Sequence, residues 1–286
     1  MNASDIKKVF VAGGGLMGRQ IALEAAIKGY DAWVYDSQPG VNEAVDKWAQ
    51  DYLKGRIEKG KMTQEAVDAT KAKFHIATSL EEGAKDADLV IEAIIEIQEE
   101  KEKFFKQLDA IVREDTIITT NSSFMVSSLF VGCVSNPSRL ANLHYFNPAL
   151  VMKLVEIVKG EHTSDETAQT LYDFVKSLDK VPVIIQKEVD GFLVNRISRA
   201  ISSAALEIVE MGVATPEDVD LALVNGLNHP LGPFRLMDLT GIDLSYHILE
   251  TRKANGENPP GYELVKAKYE AGEYGRKTKK GWYTYD

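Results

Sequence analysis

The chain is poor in cysteine, in histidine and in uninterrupted apolar sequence. A single cysteine, Cys133, among 286 residues excludes an intramolecular disulfide framework and suits a reducing compartment. No apolar run approaches the roughly 18 residues that a membrane-spanning helix needs. The opening "MNASDIKKVFVAGGG" has neither a secretory apolar segment nor the Arg- and Ser-rich character of a transit peptide. The expectation is a cytoplasmic protein with no membrane partner. Positive charge is also scarce: 33 Lys and Arg stand against 43 Asp and Glu, a formal net charge of −10, which argues against nucleic acid as a partner. A local basic patch for a small anion remains compatible with that balance. With five histidines and one cysteine, no His/Cys/Asp/Glu spacing suggests a metal.

What is present is ordinary soluble composition, 44% hydrophobic and 27% charged, in a chain long enough for two domains. The first part alternates. "KKVFVA", "DAWVYD", "FHIAT", "DADLVIEAI", "TIITTN" and "ANLHYF" read as strands, followed by "LVEIV" and "PVIIQ". Helical apolar spacing separates many of them, as in "LMGRQIALEAAIKG", the long "VNEAVDKWAQDYLKGRIEKGKM" and "QEEKEKFFKQLDAIV". Such alternation predicts an α/β domain, doubly wound around a mostly parallel sheet covered on both faces. After about Lys187 the strand signal stops. "GFLVNRISRAISSAALEIVEMG", "TPEDVDLALVNG" with Thr215 as N-cap, "LGPFRLMDLTG" and "IDLSYHILETRKANG" all read as helices. The expected division is a Rossmann-like domain over 1–188 and a smaller all-α domain over 189–286, whose apolar faces suit a second subunit.

Within "VFVAGGGLMGRQIALEAAIKGYDAWVYD", Gly13, Gly15 and Gly18 have the G-x-G-x-x-G spacing, with Leu16 and Met17 inside the loop. A strand precedes them and a helix follows. The first glycine permits the tight turn, the second lets backbone approach a pyrophosphate, and the third allows close helix–strand packing. Asp36 closes the second strand, where a carboxylate accepts hydrogen bonds from ribose hydroxyls and repels a 2′-phosphate. No Arg follows it, so the expected cofactor is NAD.

Ligands of doubly wound folds sit beyond the carboxyl ends of the strands. Three strands end there in polar residues: Glu96, with Lys101 just into the next helix; Asn121, Ser122 and Ser123; and His144 followed by Asn147. Each has a local reading on its own. The serines suit a turn or N-cap, Asn147 before Pro148 suits a turn start, and Glu96 and Lys101 suit a solvated helix. Their joint placement after successive strands favours one site. His75, His162, His229 and His247 read as surface, turn or helix residues.

The segments "VAGGGLMG", "IEAIIE", "TNSS", "HYFNPALVMKLVEIV", "DGFLVNRI", "NHPLGP" and "GRKTKKGWYTY" closely resemble, in order and over essentially the whole chain, the 3-hydroxyacyl-CoA dehydrogenases. In its compact length the chain is similar to the short bacterial 3-hydroxybutyryl-CoA dehydrogenases. The resemblance implies a catalytic His144 paired with Glu156, a substrate-contacting Ser123, and Asn195 completing the substrate side. It implies that Glu96, Lys101, Asn121, Ser123 and Asn147 line the nicotinamide half of the cofactor site. Lys54, Arg56 and Lys59, on the long helix after the second strand, are the candidates for the CoA phosphates. It also implies a homodimer or higher homo-oligomer. The chain departs from the family in carrying Ser122 for the usual Thr, and Phe124 and Met125 for the usual Ser-Leu. Ser122 keeps a hydroxyl; the bulkier Phe124 bears on acyl-pocket shape.

Oxidising a secondary alcohol needs a hydride acceptor and a base for the hydroxyl proton. Histidine suits that base because its ordinary titration lies near neutrality. A buried carboxylate beside it favours the imidazolium form and fixes the ring tautomer. The expected activity is interconversion of short (S)-3-hydroxyacyl-CoA and 3-ketoacyl-CoA, with 3-hydroxybutyryl-CoA and acetoacetyl-CoA as the pair. The alternatives are a dehydrogenase of a free hydroxy acid or sugar acid such as gulonate, and a non-catalytic NAD-binding protein. The intact Ser123, His144, Glu156 and Asn195 set disfavours the latter.

Overall fold

A computed structural model describes residues 2–286. The chain divides into two compact units, Met1–Phe192 and Leu193–Asp286. In the first, β1 (Lys8–Ala12), α1 (Leu16–Ile27), β2 (Asp31–Tyr35), α2 (Val41–Glu58), α3 (Gln64–Lys71) and β3 (Phe74–Ile76) run along one half of a sheet. The chain then returns past β1 through α4 (Leu80–Ala84), β4 (Leu89–Glu92), α5 (Gln98–Asp109), β5 (Ile117–Thr120) and β6 (Leu140–Tyr145). β7 (Leu154–Val158), α6 (Asp165–Ser177) and β8 (Val181–Ile185) complete it. The strand order is β3-β2-β1-β4-β5-β6-β7-β8, so the direction of winding reverses between β1 and β4.

Every strand pair is parallel except β6 with β7. The connection over 146–153 is too short for a crossover helix, and it therefore returns the chain antiparallel. Both sheet faces are covered, and β1 shows how. Val9 and Val11 pack with Ile21, Ala22, Leu171 and Phe174 on one face. Phe10 and Ala12 pack with Ala84, Phe105, Leu108 and Phe130 on the other. The two-residue period of the strand sends alternate side chains to opposite faces.

Two elements end earlier than the apolar pattern predicts. The long second helix stops at Glu58, and Gly60 at φ +62 turns the chain toward α3. β4 stops at Glu92 although "AII" continues the apolar run. Beyond Ala12 the neighbouring strand has turned into the glycine loop, and the Ile94 N–H is taken by Glu92 Oε1 at 2.7 Å. Glu96 is therefore a loop residue, four positions past the strand, and Ile95 is 56% exposed.

The second unit is helical: α7 (Val194–Glu210), α8 (Pro216–Leu227), α9 (Pro233–Thr240), α10 (Ile242–Ala254) and α11 (Tyr262–Glu270). Thr215 caps α8 by accepting from Asp218 N at 3.1 Å. Leu206, Val219, Phe234, Met237, Ile242 and Val265 form its core. Two buried aspartates organise the motif-bearing loops. Asp220 accepts the backbone N–H groups of Phe234 and Arg235, both at 2.9 Å, and so caps α9. Asp238 accepts from Trp282 N, Tyr283 N and the Tyr285 hydroxyl, each at 2.9 Å, and straps the C-terminal tail. Gly281 is required there, because a Cβ would lie 2.1 Å from Asp238 Oδ1.

Candidate active site

The glycine loop connects β1 to α1 beside the point where the winding reverses. Gly13 adopts φ +106, and a Cβ there would fall 2.4 Å from the Ala93 carbonyl oxygen. A Cβ on Gly18 would meet the Gly13 carbonyl oxygen at 1.9 Å. Neither position admits a side chain. Gly15 differs: it is the N-cap of α1, and a Cβ would meet no protein atom within 4 Å. The space above Gly15 is the cradle an anion would fill, with the helix N-terminus behind it. Asp36, directly after β2, accepts from Gly14 N and Gln38 N, each at 2.8 Å, which fixes its carboxylate beside the loop.

A cleft of about 360 Å³ gathers Gly15, Leu16, Met17, Glu96, Lys101, Asn121 and Ser123. Phe124, half exposed, lines it as well. Beneath it lies a buried ionic network. Lys101 Nζ, 1% exposed, is 2.5 Å from Glu92 Oε1 and 3.1 Å from Glu96 Oε2. Glu92, fully buried, also accepts from the Thr120 hydroxyl at 2.6 Å. Burial pushes the Glu92 carboxyl up, while Lys101 and the hydrogen bonds pull it down. Glu96 accepts from the Ser122 hydroxyl. Ser122 in turn accepts from Met125 N at 2.8 Å, so it shapes the turn while its neighbour faces the cleft.

Ser123 Oγ lies 2.9 Å from His144 Nε2, and His144 Nδ1 lies 2.9 Å from Glu156 Oε2. His144 is 3% exposed and Glu156 fully buried. An ionised carboxylate only accepts, so Nδ1 carries the proton and Nε2 of the neutral ring is left as the acceptor facing Ser123. The rings of Phe146 and Phe192 pack on the imidazole with centroids 4.6 and 5.4 Å away.

The remaining predicted residues are placed less uniformly. Asn121 is spent partly on structure, its Oδ1 accepting from Tyr145 N at 2.9 Å. Asn147 is exposed at the start of the turn after β6. Asn195 stands in the first turn of α7, in the other unit. Lys54, Arg56 and Lys59 lie at the end of α2, with Arg56 over the Tyr52 ring. Residues two apart on a helix point roughly 200° from one another, so Lys54 and Arg56 do not share a face. His162 is half-buried rather than superficial, 3.2 Å from the Ser127 hydroxyl, and burial lowers its pKa.

Sequence reasoning passed over Glu92 and Asn142. Asn142, fully buried on β6, accepts from Ser127 N and donates to the Met125 carbonyl, both at 2.8 Å. It braces the segment that carries Ser123. The available signal was a polar residue in each of two otherwise apolar strands, Glu92 at the end of β4 and Asn142 two positions before His144 on β6.

Family models support the assignment across the chain. Residues 8–189 match the NAD binding domain of 3-hydroxyacyl-CoA dehydrogenase, and residues 191–285 match its C-terminal domain. The chain belongs to the 3-hydroxyacyl-CoA dehydrogenase family. It is 36% identical to the probable 3-hydroxybutyryl-CoA dehydrogenase of Bacillus subtilis, over 99% of this chain and 98% of that one. It is also 36% identical to the human mitochondrial hydroxyacyl-coenzyme A dehydrogenase, over 98% of this chain and 91% of the relative. The crystal structure of the (S)-3-hydroxybutyryl-CoA dehydrogenase of Ralstonia eutropha superposes with a TM-score of 0.90 at 32% identity, over 99% of this chain and all of that one (100%). As a member of this family the chain is an NAD-dependent oxidoreductase with a Rossmann-type domain and a helical C-terminal domain. Among the described residues no helix is long and apolar enough to cross a membrane, and no three His, Cys, Asp or Glu are grouped to hold a metal.

Proposed function

We propose that this dehydrogenase interconverts short-chain (S)-3-hydroxyacyl-CoA and 3-ketoacyl-CoA, with 3-hydroxybutyryl-CoA and acetoacetyl-CoA as its pair. His144 acts as general acid and base. The observation that carries this reading is the Ser123–His144–Glu156 series, with a buried imidazole and carboxylate, one ring nitrogen on that carboxylate and the other facing a hydroxyl at the cleft.

The residues present fit NAD. Gly15 leaves open the one place in the loop where backbone can meet a pyrophosphate, while Gly13 and Gly18 are closed by packing. Gly13, Gly15, Leu16, Met17 and Gly18 would hold the phosphates, Asp36 the adenosine ribose, and Glu96, Lys101, Asn121, Ser123 and Asn147 the nicotinamide half. Once bound, the nicotinamide accepts a hydride from the alcohol or gives one to the ketone.

The chain's own residues manage the proton. In oxidation, neutral His144 takes the substrate hydroxyl proton at Nε2, and Glu156 stabilises the imidazolium that forms. In reduction the same nitrogen returns that proton to the oxygen. Ser123 holds the substrate oxygen, Asn195 is the substrate-side candidate that the family resemblance supplies, and the packed rings of Phe146 and Phe192 exclude water, which strengthens the His144–Glu156 pairing. Lys54, Arg56 and Lys59 are offered to the CoA phosphates, with Arg56 and Lys59 on one side of α2. In the helical unit Met211, Val213, Leu221 and Leu227 are each at least 60% exposed, which supports a homo-oligomer built on that unit. The buried thiol of Cys133 accords with work in a reducing cytoplasm.

The decisive experiment is NADH oxidation with acetoacetyl-CoA, longer 3-ketoacyl-CoAs and free acetoacetate, repeated with NADPH. Turnover should be fastest with acetoacetyl-CoA and NADH. Equal turnover of the free acid and the CoA ester would sink the reading.

A further inference from the structure

Lys180 lies in the turn between α6 and β8, outside every residue discussed so far, and its side chain is 4% exposed. An ammonium has three N–H donors. Lys180 directs them to three partners: the Ala149 carbonyl at 2.7 Å, the Met152 carbonyl at 2.6 Å and Glu24 Oε1 at 2.9 Å. The two carbonyls belong to the turn after β6, where Val151 and Met152 donate to the Pro148 carbonyl, each at 2.9 Å. Asn147 opens that turn. Glu24 belongs to α1, the helix whose N-terminus is the glycine loop. One helical turn earlier on the same face, Gln20 Oε1 accepts from Leu150 N at 3.5 Å.

We propose that Lys180 is a positioning residue that clamps the Asn147 turn to α1 and so sets where Asn147 stands for the nicotinamide half of the cofactor. This inference rests on the reading of Asn147 as a residue of the nicotinamide half. The two anchored pieces are held unequally. α1 is fixed by its own core side chains, Ile21, Ala22, Ala25 and Ala26. The turn contributes Ala149 to that core and the partly buried Leu150 to a smaller cluster with Leu23, Ala49 and Leu53, while Val151 and Met152 are exposed at 69% and 42%. Those two small apolar contacts leave the path of the turn's backbone to the polar clamp, which holds two of its carbonyls. Loss of the ammonium would release the turn and leave the glycine loop in place.

The test compares binding of NADH with binding of ADP-ribose, which lacks the nicotinamide, by calorimetric titration of the full chain. Lys180→Met keeps the stem and removes all three donors. It should weaken NADH by at least about 10-fold, the scale of lost buried hydrogen bonds, while ADP-ribose changes by less than about 2-fold. Lys180→Arg, which keeps the charge beside Glu24, should recover part of the NADH affinity. If Lys180→Met does not fold, Glu24→Met removes the acceptor of one leg of the clamp and should show the same selective loss, at about 3-fold. Equal losses for both ligands, or none for either, overturn the proposal. A wild-type chain that binds neither ligand overturns the cofactor reading itself, and the clamp with it.

Discussion

His144 and Glu156 are directly opposed residues of an antiparallel strand pair, with their side chains on one face and Nδ1 2.9 Å from Oε2. Their separation of 12 positions spans a strand end, a turn and a strand start, folded back so that the register delivers the contact. Directly opposed side chains on a sheet face stand within reach of each other. The dyad is thus held by main-chain hydrogen bonds on both sides, not by a flexible loop.

His144→Gln should lower turnover by at least about 100-fold, the low end for general acid–base catalysis, with NADH affinity retained. Glu156→Gln should lower turnover as well, and the double variant should cost little more than His144→Gln alone, because the two residues act as one unit. Steady-state kinetics with acetoacetyl-CoA, alongside NADH fluorescence titration, read both quantities. Additive losses would mean that Glu156 acts independently of the imidazole.

The three glycines of the loop should separate by phenotype. Gly18→Ala forces a methyl against the Gly13 carbonyl and Gly13→Ala forces one against Ala93, so both should unfold at lower urea by about 2 kcal/mol or more. Gly15→Ala meets no protein atom within 4 Å and should keep wild-type stability within about 0.5 kcal/mol. Its NADH affinity should nevertheless fall at least about 10-fold, since the methyl enters the space meant for phosphate. A Gly15→Ala chain that binds NADH normally would remove the loop from the site.

The parts legible in sequence were those that repeat or punctuate. Alternating strands and helices gave the doubly wound sheet, and the glycine loop with its aspartate marked the cofactor end. His144 and Glu156 stood out because polar residues in apolar runs are conspicuous. The same signal was present for Glu92 and Asn142 and went unread, because a single buried polar residue gives no hint of its partner across the sheet. Lys101 and Lys180 show the converse difficulty. A lysine in a helix or turn reads as solvated, and only tertiary packing reveals carboxylates and carbonyls waiting for its ammonium. The apolar "AII" after Glu92 misled for a different reason: Ala93 and Ile94 line the cleft, where apolar character serves the site instead of a ladder.

Lys101 and Glu92 make a further test of whether buried charge here is structural. Lys101→Met alone leaves the fully buried Glu92 without its cation and should cost about 3–5 kcal/mol in urea unfolding. Pairing it with Glu92→Leu removes the orphan charge, and most of that stability should return. NADH binding should stay impaired in both, because Glu96 also loses its contact with Lys101. Recovery of binding together with stability would place the pair outside cofactor recognition.

Glu24 links stability to pH. Burial pushes its carboxyl up from an ordinary 4.5 to about 7, against the pull of Lys180 and Lys28. Between those two values the folded chain holds a proton that the unfolded chain has released. Stability from this group is therefore greatest below about pH 4.5 and declines as pH rises toward about 7, by about 3 kcal/mol at the limit. His162 works the other way: burial lowers its pKa, so the unfolded chain binds the extra proton and stability rises with pH below the ordinary histidine value. The raw profile mixes both, and the difference between wild type and Glu24→Gln isolates the first. Subtracting the variant's urea-unfolding free energies from the wild-type values across pH 5 to 8 should leave a difference that falls with rising pH and flattens above about 7. A difference independent of pH would show that Glu24 stays ionised throughout, held so by the Lys180 ammonium.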